Sequence, residues 1–315
     1  MDDAHRAFLQ AFLASPVMTF ADAQPRLAAI QTIFEERDIL VQDITQDELA
    51  NYISNLNNLI SPLDYEIRSI HSQTDPSRTV TYALVNAASD AMTQVATNHS
   101  PDEIAFVKKV IDAMFEGSGN KEIFAVPGMQ ALNIAKQPRN RESMVAATQA
   151  DGEPQMTQGQ VKALTLDQAE RVLASLVAEG WFEKSRREYY SLSPRALMEL
   201  RGWLVDTYDG EAVEEGDESM KRVRFCEGCR EILTIGQRCH NRECGCRIHD
   251  TCTQGFFRGQ TEKRCPRCEA AWTGTDFVGE RAAGGRVQNM PVRRGRPSAA
   301  SRNTQSMANA DSDDD

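Results

Sequence analysis

Eight cysteines lie between Cys226 and Cys268, and none of the residues before them is a cysteine. With one histidine, seven of them run Cys226-x2-Cys229, nine residues, Cys239-x4-Cys244, four residues, His249-x2-Cys252, twelve residues, Cys265-x2-Cys268. Zinc takes four sulfur or nitrogen ligands in a tetrahedron, and a tight Cys-x2-Cys turn presents two of them at the right separation. Four such pairs make two closed sites. In an interleaved brace the first and third pairs share one ion (Cys226, Cys229, His249, Cys252), and the second and fourth share the other (Cys239, Cys244, Cys265, Cys268). Such bracing suits a segment with few large apolar residues, because metal affinity then supplies much of the folding free energy. Closed four-ligand sites have no open position for an activated water, so zinc-dependent hydrolysis is not expected. Cys246 and His240 are surplus. The four-residue gap before His249 favours Cys244 over Cys246 as ligand, and His240 in place of Cys239 stays an alternative. His5, His71 and His99 are scattered and read as surface or packing residues. The sequence shows neither a phosphate-binding loop nor a nucleophile elbow, and only Cys246 is left for cysteine chemistry.

The remaining elements read as two copies of one pattern. Around Ala4–Leu13 and Phe20–Phe34, apolar residues (Leu27, Ile30, Ile33, Phe34) fall at helical spacing. Thr45-Gln46-Asp47-Glu48 is a capping box that opens a helix with Leu49, Tyr52, Ile53, Leu56, Leu59 and Ile60 on one face. Ser61-Pro62 stops it. Alternation then resumes at Tyr65–Ile70 and Val80–Leu84 across a polar turn at Ser72–Arg78, which reads as a hairpin. Ser100-Pro101-Asp102-Glu103 opens a further helix. After looser stretches (Gly117–Asn120, Gln137–Thr157), Thr165-Leu166-Asp167-Gln168 opens another, which stops at Gly180. Trp181-Phe182 and Tyr189–Leu192 flank a charged turn, Lys184–Glu188, and Ser193-Pro194 caps a closing helix. Helices followed by one hairpin describe a winged helix. The expected fold is therefore α+β and multidomain: winged helices over 1–116 and 117–208, an acidic linker over 209–221, a two-zinc cross-braced domain over 222–277, and a disordered tail over 278–315.

The chain has 315 residues and a net charge of −11, which argues against general nucleic-acid binding. Winged helices often meet DNA through the helix before the hairpin, yet both such helices here are acidic (Asp47, Glu48; Asp167, Glu170, Glu179) and would repel phosphate. Lys184, Arg186 and Arg187 on the second wing read as a solvated turn. The modules therefore look like protein-docking surfaces, with DNA contact at most weak or indirect. Arg293-Arg294-Gly295-Arg296-Pro297 resembles an AT-hook core, whose arginines enter a narrow minor groove, but a solubilising tail explains it more simply. No apolar run reaches the length of a membrane span. The polar start Met1–Arg6 does not read as a secretion signal, so a reducing compartment is expected, where clustered thiols bind metal.

Two families share this ligand order. PHD fingers, which read histone tails, usually place an aromatic residue two positions before the seventh ligand; Lys263 stands there, and no aromatic cage is evident. RING-like domains bind a ubiquitin-conjugating enzyme through apolar residues on the zinc loops and central helix. The candidates are Ile232, Leu233, Phe256, Phe257 and Trp272, and the alternative is that each packs around the zincs. Two winged helices followed by Gly236–Cys239, Cys244-Gly245-Cys246-Arg247-Ile248-His249-Asp250-Thr251-Cys252 and Arg264–Cys268 with Trp272 resemble the non-SMC element 1 family of the SMC five/six chromosome-maintenance complex. The resemblance runs to about residue 277 and is most specific in the RING-like segment. It implies a nuclear RING-type ubiquitin ligase subunit acting in DNA repair, with a MAGE-type element 3 and a kleisin element 4 as partners. The chain departs from many RINGs at Glu227-Gly228, where an apolar residue is common, and at Glu269, where a basic residue is common. Weak intrinsic activity that depends on a docked partner is the expectation. A non-catalytic structural hub and a histone-tail reader are the competing readings.

Overall fold

The computed structural model describes residues 2–75, 77–87, 92, 95, 98–117, 121–136, 162–215 and 221–284. The first unit runs α1 (Asp3–Ala14), β1 (Val17–Thr19), α2 (Phe20–Glu35), α3 (Gln46–Ile60), β2 (Tyr65–His71) and β3 (Val80–Asn86). The strands are antiparallel in the order β1-β3-β2, and β2 pairs with β3 from Tyr65↔Asn86 to His71↔Val80. This is a winged helix. Its middle strand is buried on both faces. Tyr82 and Leu84 pack with Phe8, Leu27, Leu49 and Leu56, whereas Ala83 and Val85 join Ile70 in a second core.

The second unit repeats the order: α4 (Pro101–Phe115), β4 (Val126–Pro127), α5 (Gly128–Ala135), α6 (Leu166–Ala178), β5 (Phe182–Lys184) and β6 (Tyr189–Leu192), with the sheet again 1-3-2 as β4-β6-β5. The sequence pattern puts the boundary at 116, with α4 closing the first unit. Instead α4 packs on α5, α6 and β4 through Phe106, Val107 and Val110, so it is the first helix of the second winged helix. Its signals (Ser100 cap, Pro101, an apolar stripe) say where a helix starts but not which core it joins.

Helix starts match the local chemistry. Thr45 with Glu48, Ser100 with Glu103 and Thr165 with Gln168 form the expected capping boxes, and Thr19 with Asp22 forms a further one that was not expected. Each satisfies two amides that a helix leaves unpaired. The apolar stripe of α2 extends past its core. Leu27 is buried, but Ile33 and Phe34 in its last turns are 69% and 47% exposed.

Beyond β6 come α7 (Pro194–Glu199) and α8 (Arg201–Glu215). The predicted linker over 209–221 is thus helical to Glu215, and Asp209 is buried. Its carboxylate accepts hydrogen bonds from the amides of Arg222 and Val223 at 2.6 and 3.0 Å, which offsets its desolvation and docks the returning chain. One residue earlier, Tyr208 stacks on Phe115 at 4.9 Å and donates to Asp112 at 2.7 Å. Acidic composition hid these anchors.

The cysteine-rich domain carries β7 (Gly236–Arg238), β8 (Arg247–Ile248), α9 (Asp250–Phe256), β9 (Phe277–Val278) and α10 (Glu280–Ala283), with its sheet in the order β8-β7-β9. Ordered chain therefore continues past 277, where a tail was expected to begin: Val278 is buried and pairs with Gly236. The Arg293–Pro297 motif and the Gln137–Thr157 stretch lie outside the described residues. The second winged helix and this domain share one continuous apolar core, which joins Leu173, Phe182 and Leu204 to Ile232, Leu233 and Ile248. No helix among the described residues is long and apolar enough to cross a membrane.

Candidate metal centre

Two hairpin turns of the same geometry present the outer cysteine pairs. In the first, the Cys226 amide donates to the Glu231 carbonyl at 2.9 Å, the Arg230 amide donates to the Cys226 carbonyl at 2.9 Å, and Phe225 bridges Ile232. In the second, Cys265 donates to Ala270 at 2.8 Å, Glu269 to Cys265 at 3.0 Å, and Arg264 bridges Ala271. Arg230 and Glu269, each four residues after a leading cysteine, both adopt the left-handed conformation, with φ of 64° and 58°. β8 and the start of α9 supply His249 and Cys252, and β7 leads into Cys239.

The turns bring together Cys226, Cys229, His249 and Cys252 in one quartet and Cys239, Cys244, Cys265 and Cys268 in the other, with all ligand atoms of each within 4.8 Å of one another. In the first, His249 Nδ1 lies 3.2 Å from Cys229 Sγ and 3.9 Å from Cys252 Sγ. In the second, the Cys239–Cys268 and Cys244–Cys265 sulfurs are 3.5 and 3.6 Å apart. A disulfide would need about 2.0 Å. A tetrahedral zinc with bonds of about 2.3 Å sets sulfurs roughly 3.8 Å apart. The separations fit the metal and exclude bridges, so the domain offers two closed sites for two zinc ions. The thiols of Cys229 and Cys252, with the His249 ring, favour a thiolate at Cys226. Burial pushes the Cys265 thiol up, but the amides of Arg267 and Cys268 together with the Cys244 and Cys246 thiols outweigh it and bring the group to about 7. Ligation through Nδ1 would put the His249 proton on Nε2, which is buried without a hydrogen-bond partner among the described residues.

Neither surplus residue joins a quartet. Cys246 is fully buried, out of reach of a substrate, and burial pushes its thiol up. His240 is exposed and its Nδ1 lies 3.0 Å from an Asp276 carboxylate oxygen.

The residues expected to touch a conjugating enzyme are mostly inside. Ile232 and Leu233 are 1% and 0% exposed and belong to the core shared with the second winged helix. Phe257 and Trp272 are buried against each other at 5.5 Å, and the Trp272 indole N–H donates to Gln237 at 2.9 Å. Phe256 is half-buried at the end of α9. Apolar character marks a core position as readily as a contact; four of the five are buried, and Phe256 is partly exposed. Between the two zinc turns the structure places charge, with exposed Arg230 and Arg267 over a Glu227 side chain that is only 9% exposed. Glu227 lies between Arg230, at 2.7 Å, and Arg267 of the other turn. Within the Glu227-Gly228 pair, Gly228 has no room to gain a side chain easily, since an added Cβ would meet Cys252 Cβ at 3.2 Å.

Two polar residues outside the cysteine segment hold the domain, and neither stands out in the sequence. Glu122 is 7% exposed and accepts from Arg247 Nε and Nη2 at 2.5 and 2.7 Å and from Arg224 at 3.0 Å, with Arg238 at 3.8 Å. Burial pushes its carboxyl up, yet the hydrogen bonds from Arg247 and the three guanidinium charges prevail and hold it below the usual range. Arg247, itself buried, also donates to the carbonyls of Cys244 and Cys246, both at 2.7 Å. Gln73, in the first wing, reaches the backbone after the first zinc turn. Two of the three cations on the second wing are paired: Lys184 with Glu188 at 2.5 Å and Arg187 with Glu280 at 3.3 Å.

The family described as Nse1 non-SMC component of SMC5-6 complex matches residues 5–200, and a RING-like domain family matches 226–268. The chain belongs to the Nse1 family. Among curated Nse1 relatives, the human "Non-structural maintenance of chromosomes element 1 homolog" is 26% identical over 273 residues, covering 86% of this chain and 85% of the relative. The Schizosaccharomyces pombe element 1 is 21% identical over 245 residues, covering 76% and 86%. A solved chain from an "Nse1-Nse3-Nse4 complex" shares the fold with a TM-score of 0.63 and 21% identity, covering 87% of this chain and 97% of that one. The Nse1 match spans both winged helices, and the RING-like match coincides with the span of the two quartets.

Proposed function

We propose that this Nse1-family chain is a ubiquitin-ligase subunit of an SMC5-6 complex, acting in the nucleus in DNA repair. Zinc is held by Cys226, Cys229, His249 and Cys252 in one site and by Cys239, Cys244, Cys265 and Cys268 in the other. The observation that carries the reading is the pair of interleaved quartets built into a two-winged-helix frame. Such a ligase needs no nucleophile of its own. It accelerates transfer by restricting the geometry of the ubiquitin thioester on a conjugating enzyme, so that a substrate lysine attacks an aligned carbonyl.

Its partners are a MAGE-type element 3 and a kleisin element 4, a pairing supported by the likeness to a chain of the Nse1-Nse3-Nse4 complex. Docking falls to the winged helices. Ile33, Phe34, Leu40 and Val41 in the first are exposed by 46–69%, around a loop that the Thr32 hydroxyl closes onto Ile39. Exposed apolar clusters of this kind mark protein interfaces. Both helices before the hairpins are acidic, and the first wing is occupied by the zinc domain, which leaves little for DNA. A conjugating enzyme meets Phe256 and the Glu227–Arg267 surface between the zinc turns.

The burial of Ile232 and Leu233 favours a second reading, a hub whose zinc domain scaffolds the complex without activity. Titrating a labelled conjugating enzyme into the zinc-loaded, partner-bound chain separates the two. Saturable binding weakened at least tenfold by Phe256→Asp supports the ligase. Binding that is absent, or indifferent to Phe256, leaves the hub.

A further inference from the structure

We propose that Gln73 of the first winged helix is a positioning residue that fixes the first zinc turn, so that the docking module and the zinc domain move as one. Gln73 sits in the β2–β3 hairpin turn, is only 9% exposed, and spends its amide on the far domain. Its Nε2 donates to the Ile232 carbonyl at 3.0 Å, and its Oε1 accepts from the amides of Thr234 and Ile235 at 3.0 and 2.9 Å and lies 3.2 Å from the Thr234 hydroxyl. One side chain thus acts as a surrogate strand for Ile232–Ile235. That segment bridges Phe225 directly before Cys226 and leads into β7 before Cys239. The turn that presents Gln73 is itself fixed. The Ser72 amide donates to Thr79 at 2.9 Å, and Asp75 accepts from the Ser77 amide at 2.9 Å. From the second winged helix, Arg201 holds the same zinc turn, pairing with Glu231 at 2.7 Å.

These bonds join residues about 160 positions apart. They use a side chain buried polar-to-polar, where an unmade bond costs far more than a made one gains. A hairpin tip inserted in this way cannot tilt without moving Ile232–Ile235. A partner that shifts the first winged helix therefore shifts the first zinc turn, and with it the Glu227–Arg267 surface. The inference deepens the ligase reading and rests on it only in its last assay.

The test uses the full, zinc-loaded chain with Gln73→Met, which keeps the volume and removes every bond, and Gln73→Glu, which keeps the acceptor for Thr234 and Ile235. Amide hydrogen exchange at Thr234 and Ile235 should accelerate about tenfold or more in Gln73→Met and stay slow in Gln73→Glu. A competing chelator should then remove one of the two zinc ions several-fold faster and leave the other unchanged. Unaltered exchange at both amides in folded Gln73→Met, or equal acceleration for both ions, would overturn the proposal. Should Gln73→Met not fold, unaltered exchange at Thr234 and Ile235 in Gln73→Ala would overturn it instead. In ubiquitin discharge with the MAGE-type partner bound, Gln73→Met should lose most of the partner's stimulation. A parent protein without discharge would overturn the ligase reading, while the exchange data alone decide the role of Gln73.

Discussion

Removing the Glu122 carboxylate should loosen the zinc domain from the second winged helix. In Glu122→Ala, Arg247 loses two charge-assisted hydrogen bonds at 2.5 and 2.7 Å while remaining 1% exposed. Breaking a buried pair by deleting one partner costs about 3–5 kcal/mol. The lower end applies, because Arg247 keeps the carbonyls of Cys244 and Cys246, each at 2.7 Å, and Arg224 and Arg238 retain some solvent. We expect about 3 kcal/mol at neutral pH, read as the urea dependence of the transition that releases zinc. The sign with pH follows from the depressed carboxyl. The contribution is fully present above the unfolded glutamate value of about 4.3 and is lost as pH falls through the lower folded value. Parent and Glu122→Gln should therefore converge in acid and diverge toward neutral pH. A Glu122→Ala protein within about 0.5 kcal/mol of the parent, the usual range for surface changes, would refute the assignment of Glu122 as the anchor.

Cys246→Ala should retain two zinc ions per chain by mass spectrometry and cost about 1 kcal/mol for its small cavity, whereas Cys244→Ser should lose one ion. Leu233→Ala should destabilise by about 2–5 kcal/mol in thermal unfolding, as a core truncation does, and a stable variant that merely failed to bind a conjugating enzyme would restore the contact reading. Ile33→Asp with Phe34→Asp should weaken capture of the MAGE-type partner at least tenfold while shifting stability by no more than about 0.5 kcal/mol, checked by calorimetric titration beside a melting curve.

The zinc domain is legible in the sequence because metal ligation is a short-range chemical demand. Eight donors at fixed spacings leave few ways to close two tetrahedra, and both quartets in the structure follow the interleaved pairing. Helix starts are legible for the same reason: Thr45, Ser100 and Thr165 find their acceptors within three residues. What the sequence conceals is long-range. Gln73 and Glu122 carry no local signature, and their partners lie some 160 and 125 residues away. Leu233 and Phe256 look alike in a sequence, and only the packing of the second winged helix against the zinc turn sends one inside. Helix α4 falls to the wrong unit on sequence alone, because a helix declares its apolar face locally but not the sheet that will cover it.

Ubiquitin discharge from charged conjugating enzymes, compared for the zinc-loaded chain alone and bound to the MAGE-type partner, tests the proposed function most directly. We predict slow discharge by the chain alone, clear acceleration in the complex, and return to background once chelation empties the zinc sites. Thioester loss in the zinc-loaded complex no faster than without protein would contradict the ligase proposal and leave the zinc domain a scaffold.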